Sequence, residues 1–106
     1  MELLSQELRS HLPKLYSQEQ NDDPIVYAKF FFPTGRWTWF ITEGQEDGDD
    51  FTFFGYVVGD AEEWGYFRLK ELDKICVRGI TIERDIFFEP ATFSEAIANY
   101  RSQTGA

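Results

Sequence analysis

Three aromatic and β-branched runs crowd the middle of the chain: IVYAKFFF (25–32), RWTWFITE (36–43) and FTFFGYVV (51–58). They constrain the fold more than any other feature. Side chains along a strand point alternately to two faces, so a period-two reading assigns each residue a side. In 36–43, Trp37, Trp39 and Ile41 fall on one face, and Arg36, Thr38, Phe40 and Thr42 on the other. In 51–58, Phe51, Phe53, Gly55 and Val57 oppose Thr52, Phe54, Tyr56 and Val58. Both faces of this last run are largely apolar, which predicts a central strand. Gly55 inside it signals a bulge or the close approach of another element. PTG (33–35) is a compact turn, so the first two runs form a β-hairpin.

The flanking segments carry different periods. Leu4, Leu8 and Leu12 recur at steps of four, which predicts a short helix from roughly Glu2 to His11, stopped by Pro13. YSQEQNDDP (16–24) reads as a loop. EGQEDGDDF (43–51) and GDAEEW (59–64) read as acidic connections, and GYFRL (65–69) as a fourth strand. KELDKIC (70–76) can form a short helix with Leu72 and Ile75 inward, and ITIERDIFFEP (80–90) begins irregularly and adds a strand at 85–89. Thr92-Phe93-Ser94-Glu95 fits a capping box, followed by a stripe of Phe93, Ile97 and Tyr100. The tail SQTGA is expected to fray. Strands grouped between helices imply an α+β fold. The expected architecture is an antiparallel sheet of about four to five strands, with an N-terminal helix, a short middle helix and a C-terminal helix.

A chain of 106 residues is expected to form a single domain, 1–106. Ten basic against nineteen acidic residues leave a net charge of −9, which repels nucleic acid and anionic membranes. Cys76 is alone, so no internal disulfide forms and a reducing compartment is the simpler expectation. No secretory signal and no membrane-spanning apolar run is visible, so a cytoplasmic location is expected.

The recognisable chemistries fail one by one. Counted from Asp47 as an EF-hand loop, the fifth, sixth and twelfth residues are Phe51, Thr52 and Val58, which cannot serve. A weak loop site of Asp47, Asp49 and Asp50 is the remaining metal candidate. Zinc would have only His11 and Cys76. His11 is better read as interacting with the carbonyls that end the first helix, and Cys76 as a buried structural thiol. There is no G-x-S-x-G elbow and no glycine-rich phosphate loop. Glu83, Arg84 and Asp85 read as a structural ion network. No catalytic residue, metal or cofactor is therefore assigned. Lys29, Arg36, Arg68 and Lys70 lie beside aromatic strands, as in single-strand binders, although the global charge opposes nucleic acid.

The runs LPKLY, DPIVYAKFFFP, WTWFITE, FFGYVVG, EWGYF and IERDIFFEP, spread from about Leu4 to about Ile97, resemble the bacterial domain-of-unknown-function 2958 family. The resemblance implies a small α+β protein of bacteria, plasmids and phages, often near mobile-element functions, and supplies no activity. In that family a serine often begins the short middle helix. Lys70 stands there in this chain, which suggests a lost cap.

The acidic stretches then suggest a protein partner with a basic, nucleic-acid-reading surface. The candidate contact residues are Glu43, Glu46, Asp47, Asp49, Asp50, Asp60, Glu62, Glu63 and the aromatic anchor Trp64. The scale is local. Duplex DNA carries one charge per ~1.7 Å, so a net charge of −9 matches only ~15 Å of it. The expected role is a non-enzymatic inhibitor of a host defence or DNA-processing complex, of anti-CRISPR or anti-restriction type. The alternatives are a metal-dependent hydrolase or nuclease using clustered carboxylates, and a single-stranded nucleic-acid-binding module.

Overall fold

The structure, a computed structural model, describes residues 2–105. Its helices are α1 (Gln6–His11), α2 (Leu69–Asp73) and α3 (Phe93–Thr104). The strands are β1 (Ile25–Val26), β2 (Ala28–Phe31), β3 (Thr38–Asp47), β4 (Asp50–Val58), β5 (Glu62–Arg68), β6 (Cys76–Val77), β7 (Ile80–Thr81), β8 (Glu83–Arg84) and β9 (Ala91–Thr92). Five strands form one antiparallel sheet in the order β5-β4-β3-β2-β8. This is the α+β architecture that the sequence predicts, with β4 internal.

The two faces of the sheet carry separate cores, as the double apolar patterning of β4 requires. Phe30, Trp39, Ile41, Phe51, Phe53 and Phe67 pack beneath Leu8 of α1 and Leu72 of α2. Phe40 and Val58, joined by Tyr56, pack beneath Ala96 and Ile97 of α3. Six of the buried core residues are aromatic, and several rings meet edge to face, such as Phe30 with Phe53 and Phe40 with Tyr100.

The sheet contains one irregularity, in β3. Ile41 pairs with Gly55 and Glu43 pairs with Phe54, so Thr42 is an extra residue in that strand. This β-bulge reverses the alternation beyond it. Unbroken period two would place Glu43 beside Trp39 and Ile41 on the α1–α2 face. The bulge places it on the α3 face instead, opposite Phe54. Gly55 permits this, because a β-carbon there would lie 2.0 Å from the Phe40 carbonyl oxygen.

Several expectations are corrected. α1 starts at Gln6 rather than Glu2, because the Ser5 hydroxyl accepts the Leu8 N–H and acts as its cap. The run 25–32 is two strands, since β1 leaves the sheet to pair with β9. The acidic connection 43–51 is mostly strand. Its turn is only Gly48-Asp49, with Gly48 at a φ of +63° suited to a II′ hairpin. Glu62, Glu63 and Trp64 likewise belong to β5 rather than to a loop. The expected strand at 85–89 is a turn, and the strand lies at 83–84. The tail is helical to Thr104 and closes on left-handed Gly105; Ala106 lies outside the described residues.

The short middle helix starts at Leu69, one residue before the expected start, and one acid outside it and one within it serve its start. Asp50 of β4 accepts the Lys70 N–H at 3.1 Å, and Glu71 accepts the Arg68 N–H at 3.1 Å. The lysine in place of serine therefore leaves the helix start satisfied. At α3 the predicted Thr92 cap forms. Asp23 adds to it by accepting both the N–H and the hydroxyl of Ser94, at 2.9 and 2.6 Å.

Cys76 is exposed in the β6–β7 hairpin, which corrects its reading as a buried thiol. A thiol reagent is expected to modify it completely in native buffer. Reaction only after denaturant is added would contradict this placement.

Candidate functional site

Eight of the nine proposed contact residues separate into two groups at opposite ends of β4, and Glu43 pairs with Phe54 between them. That strand has nine residues, so eight steps of ~3.3 Å put about 26 Å between its ends. At the first end the acids already face cations or donors. Glu46 pairs with Arg9, Asp47 lies 3.6 Å from Arg68 and accepts from Thr52, and Asp49 meets Lys70 at 2.7 Å. Asp50 accepts the Phe51 and Lys70 N–H groups. The carboxylates of Asp47, Asp49 and Asp50 are thus taken up by Thr52, Arg68, Phe51 and Lys70. Among the described residues no three His, Cys, Asp or Glu side chains converge in a metal-holding arrangement.

At the second end the sheet divides the residues again. Glu62 and Trp64 share the α3 face, whereas Glu63 pairs with Val57 and points to the opposite face. Glu62 accepts the Tyr56 hydroxyl at 2.9 Å and the Arg101 guanidinium at 2.8 Å. Asp60 is exposed in the β4–β5 turn. The basic residues are divided too. Arg68 and Lys70 are paired at the first end, and Lys29 lies 3.8 Å from Asp85 and over the Tyr100 ring. Lys29 and Arg36 line a hollow of about 790 Å³ with Arg101, but Asp60 and Glu62 line it as well. In the IERD stretch, expected to form a structural ion network, Asp85 faces Lys29 and Arg84 reaches backbone carbonyls. The Arg84 guanidinium donates to the carbonyls of Glu2 and Leu3, at 3.1 and 2.9 Å. His11 meets the Glu7 carbonyl at 2.7 Å.

Glu43 is the largest departure from the reading as a solvated acidic turn. It is only 4% exposed. One carboxylate oxygen accepts the Tyr16 N–H and the other the Gln18 N–H, each at 2.7 Å. The Gln18 side chain continues the network, donating to the Ile25 and Thr42 carbonyls at 2.9 Å and accepting the Ile25 N–H at 2.7 Å. A polar loop is thereby fastened to the bulge of β3. Tyr16 is held there at a φ of +73°, a conformation that non-glycine residues rarely adopt and that often marks functional positions.

This fastening builds a cleft of about 290 Å³ that sequence reasoning missed. Tyr16, Phe54, Trp64 and Tyr66 supply its rings, and Glu19, Asp22 and Glu43 its carboxylates; its lining contains no Lys or Arg. Three of the rings are well exposed: Tyr16 at 62%, Tyr66 at 54% and Trp64 at 39%. The rings form a continuous series. Tyr66 touches Tyr16 and Phe54, and Trp64 touches Phe54, Tyr56 and Phe93. The Tyr66 phenol is held above its ordinary range by the Tyr16 hydroxyl, by desolvation and by the negative charges around it, Glu43 and Glu19 included. The sequence signals were the aromatic cross-strand residues of β4 and β5 and a lone tyrosine in a polar loop.

Several surface carboxyls titrate below their usual range. The Ser94 hydroxyl and N–H lower Asp23, Lys70 lowers Asp49, and the Tyr56 hydroxyl and Arg101 lower Glu62. Such groups bind protons more tightly in the unfolded chain. The stability they contribute is complete above their unfolded values, near pH 4, and is lost as pH falls through the lower folded ones. The melting temperature is expected to drop between about pH 5 and about pH 2.5, and Asp23→Asn to flatten part of that slope. Melts followed by circular dichroism would check this; an unchanged slope in Asp23→Asn would remove Asp23 from the account.

A two-faced α+β sheet with a ring-lined acidic cleft at one edge defines the class, and no helix among the described residues is long and apolar enough to cross a membrane. The chain belongs to the family described as "Protein of unknown function (DUF2958)", whose sequence model matches residues 3–105. Neither a curated protein nor a solved structure matches it significantly.

Proposed function

We propose that the protein is a non-enzymatic binding module for a protein partner with a basic surface. It would act as an inhibitor, covering a nucleic-acid-reading surface of a host defence or DNA-processing complex. The setting would be a bacterial mobile element or a phage. The observation that carries this reading is the exposed ring series of Tyr16, Tyr66 and Trp64, bordered by Glu19, Asp22 and Glu62. Aromatic anchors with a charged rim are the composition of protein-binding surfaces, and rim charges steer a basic partner toward them.

This reading shifts the contact surface relative to the nine residues named from sequence. Glu46, Asp47 and Asp49 lie toward the other end of β4 from Trp64, which pairs with Tyr56, so five to six strand steps of ~3.3 Å, about 16–20 Å, separate them. The proposed surface is the β4–β5 edge on the α3 side, with Glu43, Glu62 and Trp64 as its members from that set.

Affinity capture from host lysate tests the reading. The expected result is retention of a nucleic-acid-binding protein that duplex DNA displaces from the complex and that Glu62→Lys fails to retain. Capture of no such protein, or a complex indifferent to competing DNA, would overturn it.

A further inference from the structure

We infer that the cleft between the loop 16–24 and the β4–β5 edge is a receptor for a single arginine side chain of the partner. The inference rests on the proposed function in one respect, since it names the group that the surface would take. Three observations support it independently.

The first is charge. Glu19, Asp22 and Glu43 line the cleft, and no cation lines it to balance them. At some other sites acids meet cations directly, as at Asp49–Lys70 and Glu62–Arg101. Here the complementary cation would come from outside.

The second is the wall. Tyr16, Phe54, Trp64 and Tyr66 line the cleft with aromatic rings, and a cation over an aromatic face is attracted by the ring quadrupole. The Tyr66 phenol, held above its ordinary range, stays neutral. A volume of about 290 Å³ is at the lower limit for small-molecule sites, which fits one side chain better than an extended ligand.

The third is preorganisation. Glu43 is fixed by the Tyr16 and Gln18 N–H groups, one on each oxygen, and the left-handed backbone of Tyr16 sets its ring against Tyr66. Each carboxylate oxygen can still accept a further bond. Arginine suits this arrangement better than lysine. Its guanidinium is flat, stacks on rings, gives up hydration more readily and reaches a carboxylate with a fork of donors.

The test uses the full chain and N-acetyl-arginine amide, followed by ¹H–¹⁵N spectra. The Trp64 indole N–H and the Tyr16 amide are expected to shift saturably in the millimolar range. Trp37 and Trp39, which line a separate apolar hollow with Ile75 and Ile82, should not move. The neutral citrulline analogue should give no saturable shift, and the lysine analogue should bind at least about threefold more weakly. Tyr66→Ala, at an exposed position, should weaken arginine by about fivefold or more, and Asp22→Asn by about twofold.

No saturable Trp64 shift up to about 20 mM would overturn the inference. Equal binding of citrulline or lysine, or undiminished binding by Tyr66→Ala, would do the same. An arginine-rich nonapeptide added to the same samples separates this inference from the broader reading. If the amides of Glu19 and Glu62 respond while the Trp64 indole does not, the cleft assignment falls and the acidic surface stands. If neither responds, both fall.

Discussion

Gly55→Ala is expected to lower the melting temperature by about 12 °C or more, or to leave the chain unfolded. An added β-carbon would lie 2.0 Å from the Phe40 oxygen, 2.9 Å from its carbonyl carbon and 3.1 Å from the Ile41 α-carbon. These are backbone atoms of the neighbouring strand, so no rotamer change relieves the clash. Overpacking usually costs 1–3 kcal/mol, and a clash that cannot relax belongs at or above about 3 kcal/mol. Small domains hold only about 5–15 kcal/mol in total, and each kcal/mol is worth roughly 4–8 °C in a chain near this size. Circular dichroism melts measure the effect. A melting temperature within about 3 °C of the wild type would mean that the bulge does not depend on this glycine.

Glu43→Ala is expected to cost about 3–5 kcal/mol through a different cause. Removing the carboxylate leaves the part-buried Tyr16 and Gln18 N–H groups without their acceptor, and each unmade bond costs ~1–3 kcal/mol. The damage should be local first. Amide exchange at Tyr16, Gln18 and Ile25 should accelerate more than exchange in β3 and β4, because the loop loses its fastening before the sheet opens. Glu43→Gln should fall between, since one oxygen persists and the other becomes a donor facing a donor. Uniform acceleration over the whole sheet, or none at the three loop amides, would contradict the role given to Glu43.

The two variants probe successive links of one chain of causes. Gly55 admits the bulge, the bulge turns Glu43 to the α3 face, Glu43 fastens the loop, and the loop carries Tyr16 to Tyr66. Only the first link was legible in the sequence. A glycine inside an aromatic strand announces a bulge, but not which neighbour gains the extra residue. Once Thr42 is that residue, alternation read forward from Trp39 places Glu43 on the wrong face.

The sheet faces up to Ile41 were legible because aromatic alternation is strong there. The strand ends were not. Glu46 and Asp47 are poor strand formers, yet cross-strand pairing, the Thr52 hydroxyl and Arg68 extend β3 through them. A run of acids therefore read as a solvated loop. The cleft was invisible for a further reason. Its walls come from a loop without periodicity and from two strands, and only contacts between residues far apart in sequence bring them together.

The surface assignment depends on Trp64 at one edge of the sheet. Phe87, 87% exposed in the turn after β8 at the other edge, provides the comparison. The most direct measurement is the dissociation constant of the captured partner for the wild type, Trp64→Ala and Phe87→Ala. The expected result is a loss of about thirtyfold or more for Trp64→Ala, the scale of an anchor residue, with Phe87→Ala unchanged. A folded Trp64→Ala that binds like the wild type, or a loss confined to Phe87→Ala, would contradict the assignment.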